Sequence, residues 1–216
     1  MNKEEASGGR LFQRPIVQAN EGFAWVPGED DPAERIMIAS ETAWALLHRI
    51  RKQPSSEILA RVINLAEKGG IDEIAELWSS SHAQTLPGVL WRLYLLREVI
   101  TSSPEMVREI YRAGLIEVNT IDGVVAGVEE PITPDSLRSL SDEILRGLFV
   151  GDFASALDRA AAACMIFAAG AAHLADTRES DDEEEATRFT KQALRFDEFA
   201  RDLRFASVNW RKGTFE

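Results

Sequence analysis

Residues Ala160–Leu174 read AAAACMIFAAGAAHL, a run with no Asp, Glu, Lys or Arg and mostly methyl-sized side chains. Such a helix has no face suited to water, and small residues on every side let neighbouring helices approach closely. The run therefore predicts a central helical post. Within and before it, Leu157, Ala160, Cys164, Phe167, Ala171 and Leu174 recur at helical spacing. The segment that follows answers with Ala186, Phe189, Ala193, Phe196, Ala200 and Leu203, at spacings of 3 and 4 on an otherwise charged stretch. Bulky residues of one helix opposite small residues of the other fill a close helical hairpin.

Working outward, a second post spans 87–101, where Val89, Leu90, Trp91, Leu93, Tyr94, Leu95, Leu96, Val99 and Ile100 cover nearly the whole circumference. The remaining helices are read from punctuation. Pro32 suits a first helical position, and Ala43, Leu47 and Ile50 form the stripe after it. Ser55 or Ser56 caps a helix that Gly69-Gly70 stops, and a short helix runs from Ile71 to Ser80. Ser103-Pro104 opens a helix ending at Gly114, Thr133-Pro134 opens another over 137–150, and Asp152 caps the post. The last helix is expected over 182–206.

Between 115 and 132 the pattern changes. Ile116, Val118 and Thr120, then Val124, Val125 and Val128, flank Asp122-Gly123. This is either a small β-hairpin near 116–128 or an irregular connection. The expected fold is all-α: about eight helices around the two apolar posts 87–101 and 153–176. Residues 1–32 form an irregular N-terminal arm, 33–114 and 133–216 two helical subdomains, and the whole one compact domain.

Composition narrows function. The net charge of −12 argues against nucleic acid as a direct partner, since phosphate binding needs clustered Lys and Arg. The excess acid sits in the second half, with 12 basic and 21 acidic groups over 109–216 against 12 and 15 before it. Only 13 uncharged residues separate Arg159 from His173, fewer than the 18 or more of a membrane span, so no membrane role is expected. The first 15 residues carry no signal-peptide apolar core, and a cytoplasmic location is expected.

No catalytic or metal constellation emerges, and no cofactor is implied. The single cysteine, Cys164, excludes an intramolecular disulfide and reads as a small buried hydrophobe. His48, His82 and His173 stand apart, outside any His-Glu-x-x-His or Glu-x-x-His pattern. The acids of 179–185 read as a solvated loop that also favours the start of the last helix through its dipole. All-α nucleotide pyrophosphohydrolases hold Mg²⁺ with Glu-Glu-x-x-Glu followed by Glu-x-x-Asp. This chain resembles them only in part: Arg188 stands where the third Glu after Glu184-Glu185 belongs, and Glu198 and Asp202 are four apart rather than three. Helices around Gly69-Gly70 outline a helix-turn-helix, but Asp72, Glu73 and Glu76 on the second would face phosphates.

Five residues remain as interaction or ligand candidates. Arg92 and Arg97 interrupt an apolar helix and need a carboxylate or a bound anion. His173 ends the apolar post. Trp210 and Phe215, beside Arg211 and Lys212, are of types that anchor protein interfaces, or belong to a tail folded onto its own domain. The leading expectation is a non-enzymatic interaction or regulatory protein whose partner is another protein, with a homodimer open. The second is a small-molecule-binding or Mg²⁺-dependent all-α enzyme.

Overall fold

The alanine-rich run is the middle of the helix on which the structure is built. The computed structural model describes residues 31–63, 77–118 and 120–215. Among them lie eight helices: α1 (Pro32–Lys52), α2 (Ser56–Ile63), α3 (Leu86–Ser102), α4 (Pro104–Glu117), α5 (Asp122–Ala126), α6 (Pro134–Val150), α7 (Phe153–Arg178) and α8 (Glu183–Lys212). Residues 1–30 of the expected 1–32 arm, the Gly69-Gly70 stop and most of the 71–80 helix lie outside the described residues, and Pro32 belongs to α1. Residues 32–216 form one compact unit.

The two posts are where the sequence places them. α7 carries its buried residues on every side, from Phe153 through Ala160–Cys164 to Ala175. It packs along its length on α8 and on other sides against α4, α5 and α6. α7 is long and apolar enough to cross a membrane, but 61% of its most apolar stretch is buried inside the protein, as in the core helix of a globular fold. α3 buries Leu86–Leu90, Leu93, Tyr94, Leu96, Arg97 and Ile100, contacting α1, α4, α6 and α8.

The helix starts follow from capping chemistry. Asp152 accepts the Ser155 N–H at 2.7 Å, Asp182 accepts that of Glu185 at 2.8 Å, and Thr133 and Ser136 exchange backbone donors in a capping box. The α6 end is closed differently. Arg51 Nη2 reaches across from α1 to the carbonyls of Leu148 at 2.9 Å and Gly151 at 3.2 Å, placing a cation at a helix C-terminus.

Three expectations are corrected. Gly114 does not end its helix: α4 continues to Glu117, and Gly114 lies buried where α4 crosses α7. A Cβ on Gly114 would sit 1.9 Å from the Ile166 carbonyl oxygen, and one on Gly170 1.8 Å from that of Ile110. These glycines serve contact between backbones, not termination. The last helix also runs past Ala206 to Lys212 and closes at Gly213, whose φ of 69° is left-handed. Trp210 is consequently on the helix rather than beyond it.

The third correction concerns the hairpin near 116–128, which is not formed; no strand occurs among the described residues. Ile116 continues α4, and Asp122-Gly123 opens a helical turn instead of occupying a β-turn. Thr120 Oγ1 accepts the Asp122 N–H at 3.3 Å and lies 2.5 Å from its carboxylate, a local bond that competes with extended pairing. An isolated pair of strands has marginal stability, whereas the helical turn buries Ala126. Gly127, with φ of 66°, ends that turn.

Candidate functional site

The five candidate residues occupy four separate places, each held by chemistry within the chain. Arg92 Nε donates to Asp202 Oδ2 at 2.9 Å and Nη1 to the Gly88 carbonyl at 3.1 Å, while its guanidinium lies over the Phe199 ring. Arg97 is buried, and its Nε donates to Asp142 Oδ1 at 3.0 Å. Both arginines thus meet the carboxylates that a guanidinium inside an apolar helix demands. They tie α3 to α8 and to α6. His173 Nδ1 lies 3.0 Å from Glu117 Oε1, linking α7 to the end of α4.

Trp210 and Phe215 come together. Trp210 stacks on Phe153 with centroids 3.9 Å apart, Phe215 meets Trp210 edge-on at 5.8 Å, and Trp44 lies nearly parallel to Trp210 at 6.1 Å, with His48 stacked beyond it. Arg51 lies over Phe153 and Trp210, 5.7 Å from each centroid, before reaching the α6 carbonyls. Burial lowers the Arg51 pKa, opposed by Asp152. The cluster clamps the start of α7 between the end of α8 and α1. Arg211 reinforces it by donating to Asp158 at 2.6 Å, and that bond raises its pKa.

Two of the carboxylates read for metal chemistry are engaged by arginines. Asp202 holds Arg92, and Glu185 meets both Arg178 and Arg188. Among the described residues no three His, Cys, Asp or Glu side chains converge for a metal ion. Cys164 is fully buried among alanines, and burial pushes its thiol pKa far up, so it is held as the unreactive thiol. A hollow of about 160 Å³ between α5 and α6 has Gly127, Glu129, Ser139 and Glu143 on its walls. This is smaller than the roughly 300 Å³ at which ligand pockets begin. A wider surface hollow at the start of α8 includes Glu183, Glu184, Thr187, Arg188 and Lys191.

One feature escaped sequence reasoning. Ile116, Ile121 and Val124 are 78%, 74% and 84% exposed. The backbone that carries them is pinned from several sides. Glu117 meets His173; Asp122 receives Arg204 Nη2 at 3.1 Å; and Arg159 donates to the Ala126 carbonyl at 3.3 Å while pairing with Glu143 at 2.9 Å. The segment is held at its polar groups and projects its apolar ones. The signal was present as β-branched residues around Asp-Gly, which the sequence left as either a hairpin or an irregular connection.

Among the described residues the protein is all-α, and its three most exposed large apolar side chains, Ile116, Ile121 and Val124, lie at the junction of α4 and α5. Comparison with protein families, with curated proteins and with solved structures finds no match for this chain.

Proposed function

We propose that the chain is a non-enzymatic protein-interaction or regulatory protein, acting in the cytoplasm, with the α4–α5 projection as its docking element for another protein. The single observation that carries this reading is the pinned segment bearing Ile116, Ile121 and Val124 in water. Leaving three β-branched side chains exposed forgoes roughly 1.5–3 kcal/mol of burial for each, which a partner would recover. Holding the segment rigid beforehand lowers the ordering cost of association. The net charge of −12 favours a protein partner over nucleic acid.

The test is in-cell photo-cross-linking with a photoreactive residue at Ile121 or Val124, and at exposed Glu98 on α3 as control. A discrete adduct from 121 and 124, absent from 98 and lost on Ile116→Glu, is the expected result. Uniform labelling from all three positions would refute the docking role. A parallel thermal-unfolding scan with Mg²⁺, Mn²⁺, nucleotides and small acidic metabolites tests the enzyme alternative. A ligand at a hundred times its Kd stabilises by about 2.7 kcal/mol. The expected scan is flat, and a shift requiring metal and nucleotide together would overturn the interaction reading.

A further inference from the structure

The outward face of α8 carries an apolar and charged pattern as regular as its buried face. Lys191, Leu194, Glu198, Arg201, Phe205 and Val208 recur at spacings of 3, 4, 3, 4 and 3, and all are exposed. This is a second heptad stripe, on the side of the helix opposite Phe189, Phe196, Ala200 and Leu203, which are buried against the body. Leu194, Phe205 and Val208 are 62%, 43% and 40% exposed. Solvent gives no reason for three large apolar side chains to keep heptad register.

The charges on this face say what fits it. When two copies of α8 are laid antiparallel about a two-fold axis crossing between Phe199 and Ala200, Leu194 of one copy meets Phe205 of the other. Glu198 then meets Arg201, and the Lys191 stem meets Val208. The flanking groups are already engaged within the chain, Asp202 by Arg92, Arg204 by Asp122 and Asp197 by Arg201 of its own helix, so the charge match across the axis is carried by Glu198 and Arg201. Every charged position that faces another charge faces its opposite. A parallel pairing instead sets Glu198 against Glu198 and Arg201 against Arg201, which repel. Two-fold symmetry requires a surface to be its own complement, and this stripe meets that condition only in the antiparallel sense.

We infer that the chain self-associates through an antiparallel α8–α8 pair, with Leu194 and Phe205 as the apolar contacts and Glu198–Arg201 setting the register. The inference rests on the interaction reading, with a second copy as partner, but on a different surface from the α4–α5 projection. Central ion pairs of this kind select register and orientation more than they add affinity, so the association is reversible and concentration-dependent.

The experiment is sedimentation equilibrium of the full chain over a range of concentrations. The expected mass rises from 24.0 kDa toward twice that value. Glu198→Arg alone and Arg201→Glu alone each put like charges together and weaken association by about tenfold. The double variant, Glu198→Arg with Arg201→Glu, restores it to near the starting value, an outcome a merely folding-related effect would not give. Phe205→Glu abolishes it, with circular dichroism reporting that the helices are retained; should that variant misfold, the charge-exchange series stands alone. A mass of 24.0 kDa at every concentration overturns the inference, as does a dimer indifferent to all three charge variants, or a double variant no better than the singles. Val124→Glu leaves self-association unchanged, and loss of the dimer leaves cross-linking from 121 and 124 unchanged, so the two readings fail separately.

Discussion

Gly170→Ala is expected to destabilise the protein, although alanine is the better helix former. On a solvent-facing helix this change gains about 1 kcal/mol from propensity. At Gly170 the new Cβ would stand 1.8 Å from the Ile110 carbonyl oxygen and 2.7 Å from the Gly114 nitrogen, both backbone atoms of α4. Since Cβ atoms do not approach other heavy atoms closer than 3.0 Å, α4 and α7 must part locally by at least 1.2 Å, the difference between 3.0 and 1.8. No rotamer change can relieve a clash with backbone. Parting the helices also loosens Tyr111 from Phe167, whose rings meet edge-on at 5.2 Å across the same crossing. Overpacking that forces backbone shifts costs about 3 kcal/mol or more, which leaves a net loss of about 2 kcal/mol after the propensity gain. Urea unfolding followed by far-ultraviolet circular dichroism measures it, as a lower midpoint with an unchanged slope. Gly123→Ala is the control: its Cβ would meet only the flexible Leu115 Cδ2 at 3.4 Å, and its cost is expected near zero. A Gly170→Ala variant as stable as the parent would refute the direct backbone contact at this crossing.

Two further outcomes test the packing. Both tyrosines of the chain, Tyr94 and Tyr111, are buried, with Tyr94 donating to the Val62 carbonyl at 2.9 Å. Burial raises both pKa values above the ordinary 10.0, partly opposed by Arg97 and Arg159 respectively. Because the folded values are raised, this contribution to stability is complete below pH 10 and is lost as pH climbs beyond it. In an alkaline titration, tyrosinate absorbance should therefore rise together with loss of helical signal; ionisation in the still-folded protein would contradict the burial. Trp210→Ala should cost about 2 kcal/mol in the same urea assay, below the 3–5 of fully buried tryptophans because Trp210 is half-buried. Phe153→Ala should be non-additive with it, and full additivity would show that the stacked pair does not act as a unit.

The sequence by itself determined the helices and the two posts. Alanine and leucine runs without charges leave no solvent face, and Thr133 and Asp152 mark helix starts through side-chain oxygens that accept nearby backbone N–H groups. It also determined that Arg92 and Arg97 require a carboxylate or a bound anion, because a guanidinium in an apolar helix cannot stay unsolvated. Which carboxylates was a tertiary matter: Asp202 and Asp142 lie 110 and 45 residues away. The tertiary structure likewise decided that Gly114 is a crossing point, since termination and close approach both select glycine and only the position of α7 separates them. It placed Trp210 against Phe153 because α8 continues past the expected end at Ala206 to Lys212. It decided that 116–128, legible as a hairpin or an irregular connection, holds a helix end and a helical turn, because β-branched residues favour extension only where a sheet exists to receive them. Periodicity and caps act within a few residues and can be read along the chain, whereas backbone contact, ion pairing and exposure depend on what the rest of the molecule brings alongside.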